Sequence, residues 1–499
     1  MEAGASAPDR LRERSIGLPQ VLFQSITHMA PGAAIAFSIL VSVQYAGPAL
    51  PLAVLAALVA CVLVASSIGQ LAKEIPSAGG LVAYVARALG RAAGFMTGWA
   101  YLLFQPLVAP LLFLIFAWVV DDVWTADENG LGMDSLWWLW VLVAAAVVFL
   151  LAYRDVRLST NAGVVLGVIE IGIFLALALW MLLSNVGDLT LQTFNPSNNE
   201  VGTLEGTFKG MVFAILAFIG FESAAPLGEE CRKPRWAIPR AVVGSAVIVG
   251  LFYVICSYAW VIGTGFGSFT ETATAAANPW RDLGEVFWGA GWVLIFFAIV
   301  NSAIANANAG TNAATRVLFA LARNGVLPRQ LARTHPVHRT PHVATIAVTG
   351  LGTVIALLLG WKWDPLTGFV IIATAVTLVV ICVYIAVCVA CGVYYWREKR
   401  SEFDLWLHGV FPALGAVAFL APLYYQFNPL PDYPIRWGTW IALAWMGAGV
   451  VVTAWMYATK PDELGELGKV FVEEEPVGVA GPVDVPPPTA PAPATGQPG

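Results

Sequence analysis

Charge is what this sequence has least of. Asp, Glu, Lys and Arg make up 12% of its 499 residues, about half the share of an average soluble protein. That scarcity argues against a soluble multidomain protein. It does not signal disorder, because 58% of the residues are apolar and apolar runs of about twenty residues recur from Gln20 to Ala458, the length that crosses a bilayer as a helix. No basic stripe or nucleic-acid motif accompanies the net charge of −6, which sets nucleic acid aside as a partner. Six cysteines are present, and all but Cys231 lie inside apolar runs. Cys388 and Cys391 spell CxxC, but in a helix this is an i,i+3 pair, so these are read as packing thiols and not as a zinc site or disulfide framework. Five scattered histidines form no cluster, so neither a metal, a cofactor nor an enzymatic centre is expected. The string GTGFGS at 263–268 lacks a following Lys-Ser/Thr and is no phosphate loop. The N-terminus lacks a short apolar stretch with a small-residue cleavage site, so no cleaved signal peptide is expected.

What is present is a series of twelve apolar spans. They run over roughly 20–44, 48–72, 91–120, 136–153, 160–184, 206–227, 238–262, 286–321, 343–361, 366–396, 408–426 and 436–458. In lipid such spans are helical, because unpaired backbone groups are too costly there. The eighth is too long for one straight crossing and is expected to tilt or to project beyond the membrane. The chain thus divides into an N-terminal segment 1–19, a ten-helix core 20–396, two further spans within 397–458 and a tail 459–499. The tail turns acidic and then Pro- and Ala-rich, a composition that buries no core and is expected to be disordered. Twenty-one of the 26 Lys and Arg residues fall on one side of the membrane, with both termini. Four (Lys209, Arg281, Lys362 and Arg436) fall on the other, and Arg316 lies within span eight. The bias places both termini in the cytoplasm of a plasma (inner) membrane protein. The 3–4 loop, with Asp121, Asp122, Asp127, Glu128 and Asp134 and no basic residue, agrees.

Two spans carry helix-weakening residues near their middle. Span one reads MAPGAAIAF, with Pro31 and Gly32, and span six reads AFIGFESAAP, with Gly220, Glu222 and Pro226. Gly220 lies 188 positions after Gly32. The same offset carries Pro76, on the inside, to Thr264, on the outside, as five-span inverted repeats of about 20–184 and 206–396 require. Matched breaks in two halves point to a midplane binding site; two independent kinks are the plainer alternative.

Three long segments then resemble one family. Residues 74–103, EIPSAGGLVAYVARALGRAAGFMTGWAYLL, are similar to the first cytoplasmic segment of the amino acid–polyamine–organocation (APC) superfamily. Residues 213–242, FAILAFIGFESAAPLGEECRKPRWAIPRAV, resemble its sixth helix and following loop. Residues 315–344, TRVLFALARNGVLPRQLARTHPVHRTPHVA, resemble its eighth helix and the loop after it. The resemblance implies an all-α membrane protein of twelve transmembrane helices, a LeuT-like 5+5 inverted repeat plus two C-terminal helices, that transports an amino acid.

The chemistry of such a site can be read from the residues. Unwinding span one exposes backbone N–H groups at Gly32, Ala33 and Ala34, whose small side chains let a substrate carboxylate approach. Unwinding span six frees carbonyls of Phe218, Ile219 and Gly220 for an ammonium. Family members use these stretches this way. Phe218 and Phe221 either gate the substrate or pack in the core. Glu222 either contacts substrate or caps the break. Glu170, alone in the apolar fifth span, is read in three ways: as a proton-coupling group, as a contact for a cationic group, or as a structural hydrogen-bonder. Intramembrane carboxyls are functional candidates by default. Many proton-coupled relatives carry a lysine near that place, so a lysine mechanism does not carry over. His28 is either a titrating group or, the commoner case, a hydrogen-bonded structural histidine. Gln105 and the asparagines Asn301, Asn306, Asn308 and Asn312 either line the cavity, in part as a former sodium site, or join helices. Glu229, Glu230 and Lys233 are assigned a gating or folding role in the 6–7 loop. The expected activity is proton-coupled uptake or exchange of an amino acid, with sodium as the other candidate ion. A polyamine or other organic amine on the same fold is the alternative cargo, and a transport-dead membrane sensor is a third reading.

Overall fold

The computed structural model describes residues 16–77, 79–125, 131–154, 156–228, 230–323, 327–335 and 340–459. The N-terminal arginines, Asp127 and Glu128, Glu229 and the Pro- and Ala-rich tail from residue 460 lie outside them. Among the described residues the fold is all helix, with a single bridge pairing Ile16 and Cys231.

Span one is α1 (Leu18–His28), α2 (Pro31–Ala33), a π-turn (Ala34–Ser38) and α3 (Leu40–Ala46). Then come α4 (Leu50–Glu74), the short α5 (Leu81–Leu89), α6 (Arg91–Thr125), α7 (Trp137–Arg154) and α8 (Val156–Ser184). Span six is α9 (Leu204–Phe218) followed by a 3₁₀ stretch, Phe221–Leu227. Beyond it lie α10 (Pro234–Thr264), the short α11 (Phe269–Ala275) and α12 (Pro279–Trp288), α13 (Trp292–Arg323), α14 (His342–Lys362) and α15 (Pro365–Arg397). The last two are α16 (Phe411–Tyr425) and α17 (Arg436–Thr459). Among the described residues, ten helical stretches are long and apolar enough to cross a membrane, and Trp137–Tyr153 is a shorter apolar helix. The protein is a multi-pass membrane protein. The expected eighth span, 286–321, is cut near its start. Gly289, at φ 54, and the turn Gly289–Gly291 separate α12 from a 32-residue α13.

The outward faces are apolar: Leu183, Leu358 and Val451 are all exposed. Inside, small residues let helices approach. Gly69 of α4 sits against Pro239 and Val243 of α10, and Gly310 of α13 against Val108 of α6, as bilayer packing favours. The added helix α17 is fastened to α6 by a reciprocal pair: the Trp99 indole donates to the Trp445 carbonyl and the Trp445 indole to the Trp99 carbonyl, both at 2.8 Å. Paired indole N–H groups bury large rings without leaving their donors unmet.

Candidate functional site

Proline makes the first break. Pro31 has no amide to continue α1, and its ring pushes the residue before it out of the right-handed helical region. Ala30 takes φ 47, ψ 64, and is the one non-glycine residue with positive φ among the described residues. That conformation costs an alanine roughly 1–2 kcal/mol, so the surroundings must hold it. They do so through Tyr253 of α10, whose hydroxyl lies 2.9 Å from both the Met29 and Ala217 carbonyls and spans the two broken helices with one proton. The second break is Gly220, at φ 122. A Cβ there would lie 2.6 Å from the His28 carbonyl carbon, so the breaks touch, and only glycine permits it. Ser25 ties the same elements, donating to the Phe221 carbonyl at 2.8 Å and accepting from the Ala224 amide at 3.2 Å.

The break in span one therefore sits at Met29–Ala30, ahead of Gly32. Gly32 occupies the first turn of α2, and a Cβ on it would lie 3.0 Å from the Phe174 ring and 3.3 Å from the Ala298 carbonyl. It faces α8 and α13. A bulky residue there would wedge those helices apart before it blocked any ligand.

Each of the two buried glutamates is engaged. Glu222 accepts from the freed Gly220 amide at 3.0 Å and from the Tyr384 hydroxyl at 2.8 Å. It thus caps the 3₁₀ stretch. Glu170 lies on the inner face of α8, 2% exposed, beside the lipid-facing Val168 and Ile169. Its carboxylate accepts from the Asn301 side chain at 2.7 Å and the Ser302 hydroxyl at 3.0 Å, both on α13, and lies beside the Gly32 amide. It is held where the positive end of span one's second half begins. The Ala34 amide is taken by the Ala30 carbonyl at 2.7 Å.

A cavity opens beside the two breaks, with an empty volume of about 480 Å³ including its solvent-open part. Of the expected site residues, His28, Ala33, Ala34 and Ile219 line it, joined by Ala30 and Asn306. Gly32, Gly220, Glu170 and Glu222 stand behind its wall. Phe218 and Phe221 are fully buried in the core, against Tyr253 and Tyr384. Among the described residues no protein group hydrogen-bonds either ring nitrogen of His28, so no protein partner makes it the hydrogen-bonded structural histidine of the commoner case. Among the described residues no group of three or more His, Cys, Asp or Glu is placed to hold a metal.

At the end where α1 begins, the bundle is closed. The Ile16 amide donates to the Glu230 carbonyl and the Arg232 amide to the Ile16 carbonyl. Beneath them Arg316 of α13 and Glu230 form an ion pair at 2.9 Å, with side chains only 10% and 7% exposed. Sequence reasoning singled out Glu230 but missed Arg316, Tyr253, Tyr384 and Ser25. A tyrosine in an apolar span is a usable signal, since a buried phenol needs a partner.

A family model described as "Amino acid permease" matches residues 16–461. The chain is 24% identical to the branched-chain amino acid permease BcaP of Bacillus subtilis (strain 168), over 84% of this chain and 88% of that protein. It is 26% identical to the low-affinity putrescine importer PlaP of Escherichia coli (strain K12), over 60% of this chain and 65% of that one. It is 25% identical to the serine/threonine exchanger SteT of Bacillus subtilis (strain 168), over 58% and 64%. Matched along nearly its whole length, the chain belongs to the amino acid permease family of the APC superfamily and is a secondary transporter.

Proposed function

We propose that this chain carries an amino acid across the plasma membrane by alternating access, coupled to protons, with Glu170 as the coupling group. The observation that carries the reading is the Glu170 carboxylate, held by Asn301 and Ser302 beside the Gly32 amide at the start of α2. A substrate carboxylate seeks the same helix end. While Glu170 is ionised it engages the Gly32 amide and repels a second anion nearby. A proton on Glu170 removes the repulsion, turns an acceptor into a donor and releases Gly32 N–H beside Ala33 N–H. Proton and substrate then favour each other's binding, and the coupling is reciprocal. The test is uptake of labelled amino acids into proteoliposomes: an inside-alkaline pH gradient drives accumulation, whereas uptake indifferent to the gradient overturns the coupling.

Twelve crossings and a 5+5 repeat complete the reading. The broken span one supplies one crossing beyond the ten. The 18-residue α7 supplies another, at about 27 Å for 1.5 Å per residue, close to the hydrocarbon thickness. The packing pairs equivalent helices of the two halves, α4 with α10, α6 with α13 and α7 with α14. The short α5 and the α11–α12 segment fall at equivalent positions. We place both termini in the cytoplasm on the Lys/Arg bias. Leu131, exposed between α6 and α7, then faces outward. A cysteine placed there is expected to react with an impermeant maleimide on intact cells, against a low background because five native cysteines are buried and Cys382 is partly so. Reaction only after permeabilisation would reverse the topology.

A further inference from the structure

The cavity beside the breaks has walls of one chemical kind. Its fifteen lining residues include no Asp, Glu, Lys or Arg. Most of the lining is aliphatic and aromatic: Leu111, Leu112 and Ile115 of α6, Leu216 of α9, and Phe369 and Val376 of α15. Two buried polar side chains with unmet atoms, His28 and Asn306, interrupt it. His28 is 1% exposed and Asn306 is 8% exposed. Among the described residues, neither ring nitrogen of His28 nor Oδ1 of Asn306 has a hydrogen-bond partner. The ring has room: its Nε2 lies 3.6 Å from where a Cβ on Gly310 would stand. A ligand that meets them supplies partners that the protein does not.

Resting on the transport reading above, we infer that this cavity selects a neutral amino acid with an aliphatic side chain, whose polar end is held by His28 and Asn306. A neutral imidazole donates from one nitrogen to the same substrate carboxylate that the start of α2 attracts at Ala33 N–H, and Asn306 Oδ1 accepts from the ammonium; His28, Ala33 and Asn306 all line the cavity. The side chain lies against the leucines and Phe369. A second charge on the substrate finds no counter-ion. Glu170 is engaged by Asn301 and Ser302, and Glu222 through Oε2 by Gly220 and Tyr384. Both stand behind the wall. Burying an unpaired charge is heavily penalised, so a diamine or a lysine-like amino acid is refused despite the two intramembrane carboxyls.

The probe is leucine. Purified protein is titrated in a thermal-shift assay with leucine, lysine, glutamate and putrescine, and the same compounds compete for uptake of labelled leucine into proteoliposomes. Leucine is expected to stabilise the protein, with the three charged compounds weaker by about a hundredfold, roughly 2.7 kcal/mol. His28→Leu is expected to weaken leucine binding by about tenfold and His28→Gln, which keeps a donor and an acceptor, to recover most of it. Lysine or putrescine binding as tightly as leucine, or unchanged leucine binding in His28→Leu, would overturn the inference. The two readings separate cleanly. Selective stabilisation by leucine without uptake under any gradient sustains the cavity assignment and sinks the transport mechanism. Proton-driven uptake of glutamate or lysine without leucine binding does the reverse.

Discussion

Glu170→Gln is expected to lose accumulation driven by a pH gradient while keeping substrate binding and exchange. Wild-type protein moving one proton per substrate reaches about a tenfold concentration ratio for each pH unit imposed, since one unit is about 1.4 kcal/mol; the mutant stays near a ratio of one. The reason lies in the donors around the carboxylate. Asn301 and Ser302 donate to Glu170, and the Gly32 amide lies beside it. Glutamine keeps the shape and can accept through Oε1, while the Ser302 hydroxyl and the Asn301 amide can reorient to meet its NH₂ group. It cannot take up or release a proton. The same donors set the sign of the pH effect. In the wild type, substrate affinity falls as pH rises, because the ionised form holds Gly32 N–H and repels the substrate carboxylate. In the mutant that dependence flattens. Gradient-dependent accumulation like the wild type's would remove Glu170 from the coupling. Loss of binding as well would give it a structural or substrate-contacting role.

Arg316→Met is expected to loosen the closed end of the bundle. Removing one partner of a buried ion pair costs about 3–5 kcal/mol, mostly because the other charge is left unpaired. Here the stranded charge is Glu230, 7% exposed at its side chain. Opening that end relieves it by admitting water, so the open population grows by about a hundredfold or more, at about 1.4 kcal/mol per tenfold. Cys231 reports the change directly. It is 2% exposed and sits in the bridge with Ile16. Alkylation of Cys231, followed by mass spectrometry, should accelerate about a hundredfold in Arg316→Met. Cys61 and Cys256, buried in α4 and α10, should stay protected, which separates opening from unfolding. The exchanged pair Arg316→Glu with Glu230→Arg should restore slow labelling. An unchanged rate at Cys231 would mean that the ion pair does not hold this end shut.

The parts of this molecule legible in its sequence are those governed by local physics. Most spans follow from apolar length, and Gly220 could be placed at a break because a mid-span glycine beside Glu222 has few other uses. The first break was harder to locate. Pro31 favours the first position of a helix and so marks the start of α2, while the strained residue before it, Ala30, carries no signal of its own. Whether Glu170 coupled, bound or braced could not be read from span five. Its partners, Asn301 and Ser302, lie 131 and 132 positions away. The same holds for Arg316 and Glu230, 86 positions apart. Phe218 and Phe221 illustrate the limit from the other side: a phenylalanine beside a break looks the same whether it faces a ligand or, as here, Tyr253 and Tyr384.

The coupling of proton to substrate at Glu170 is tested most directly by following the proton itself. Wild-type protein is reconstituted into vesicles holding a pH-sensitive dye, with no gradient imposed and the membrane potential clamped, and leucine is added outside. The expected result is acidification of the lumen in step with leucine entry in the wild type, and leucine exchange without acidification in Glu170→Gln. Net leucine entry into wild-type vesicles with no change in lumenal pH would contradict it.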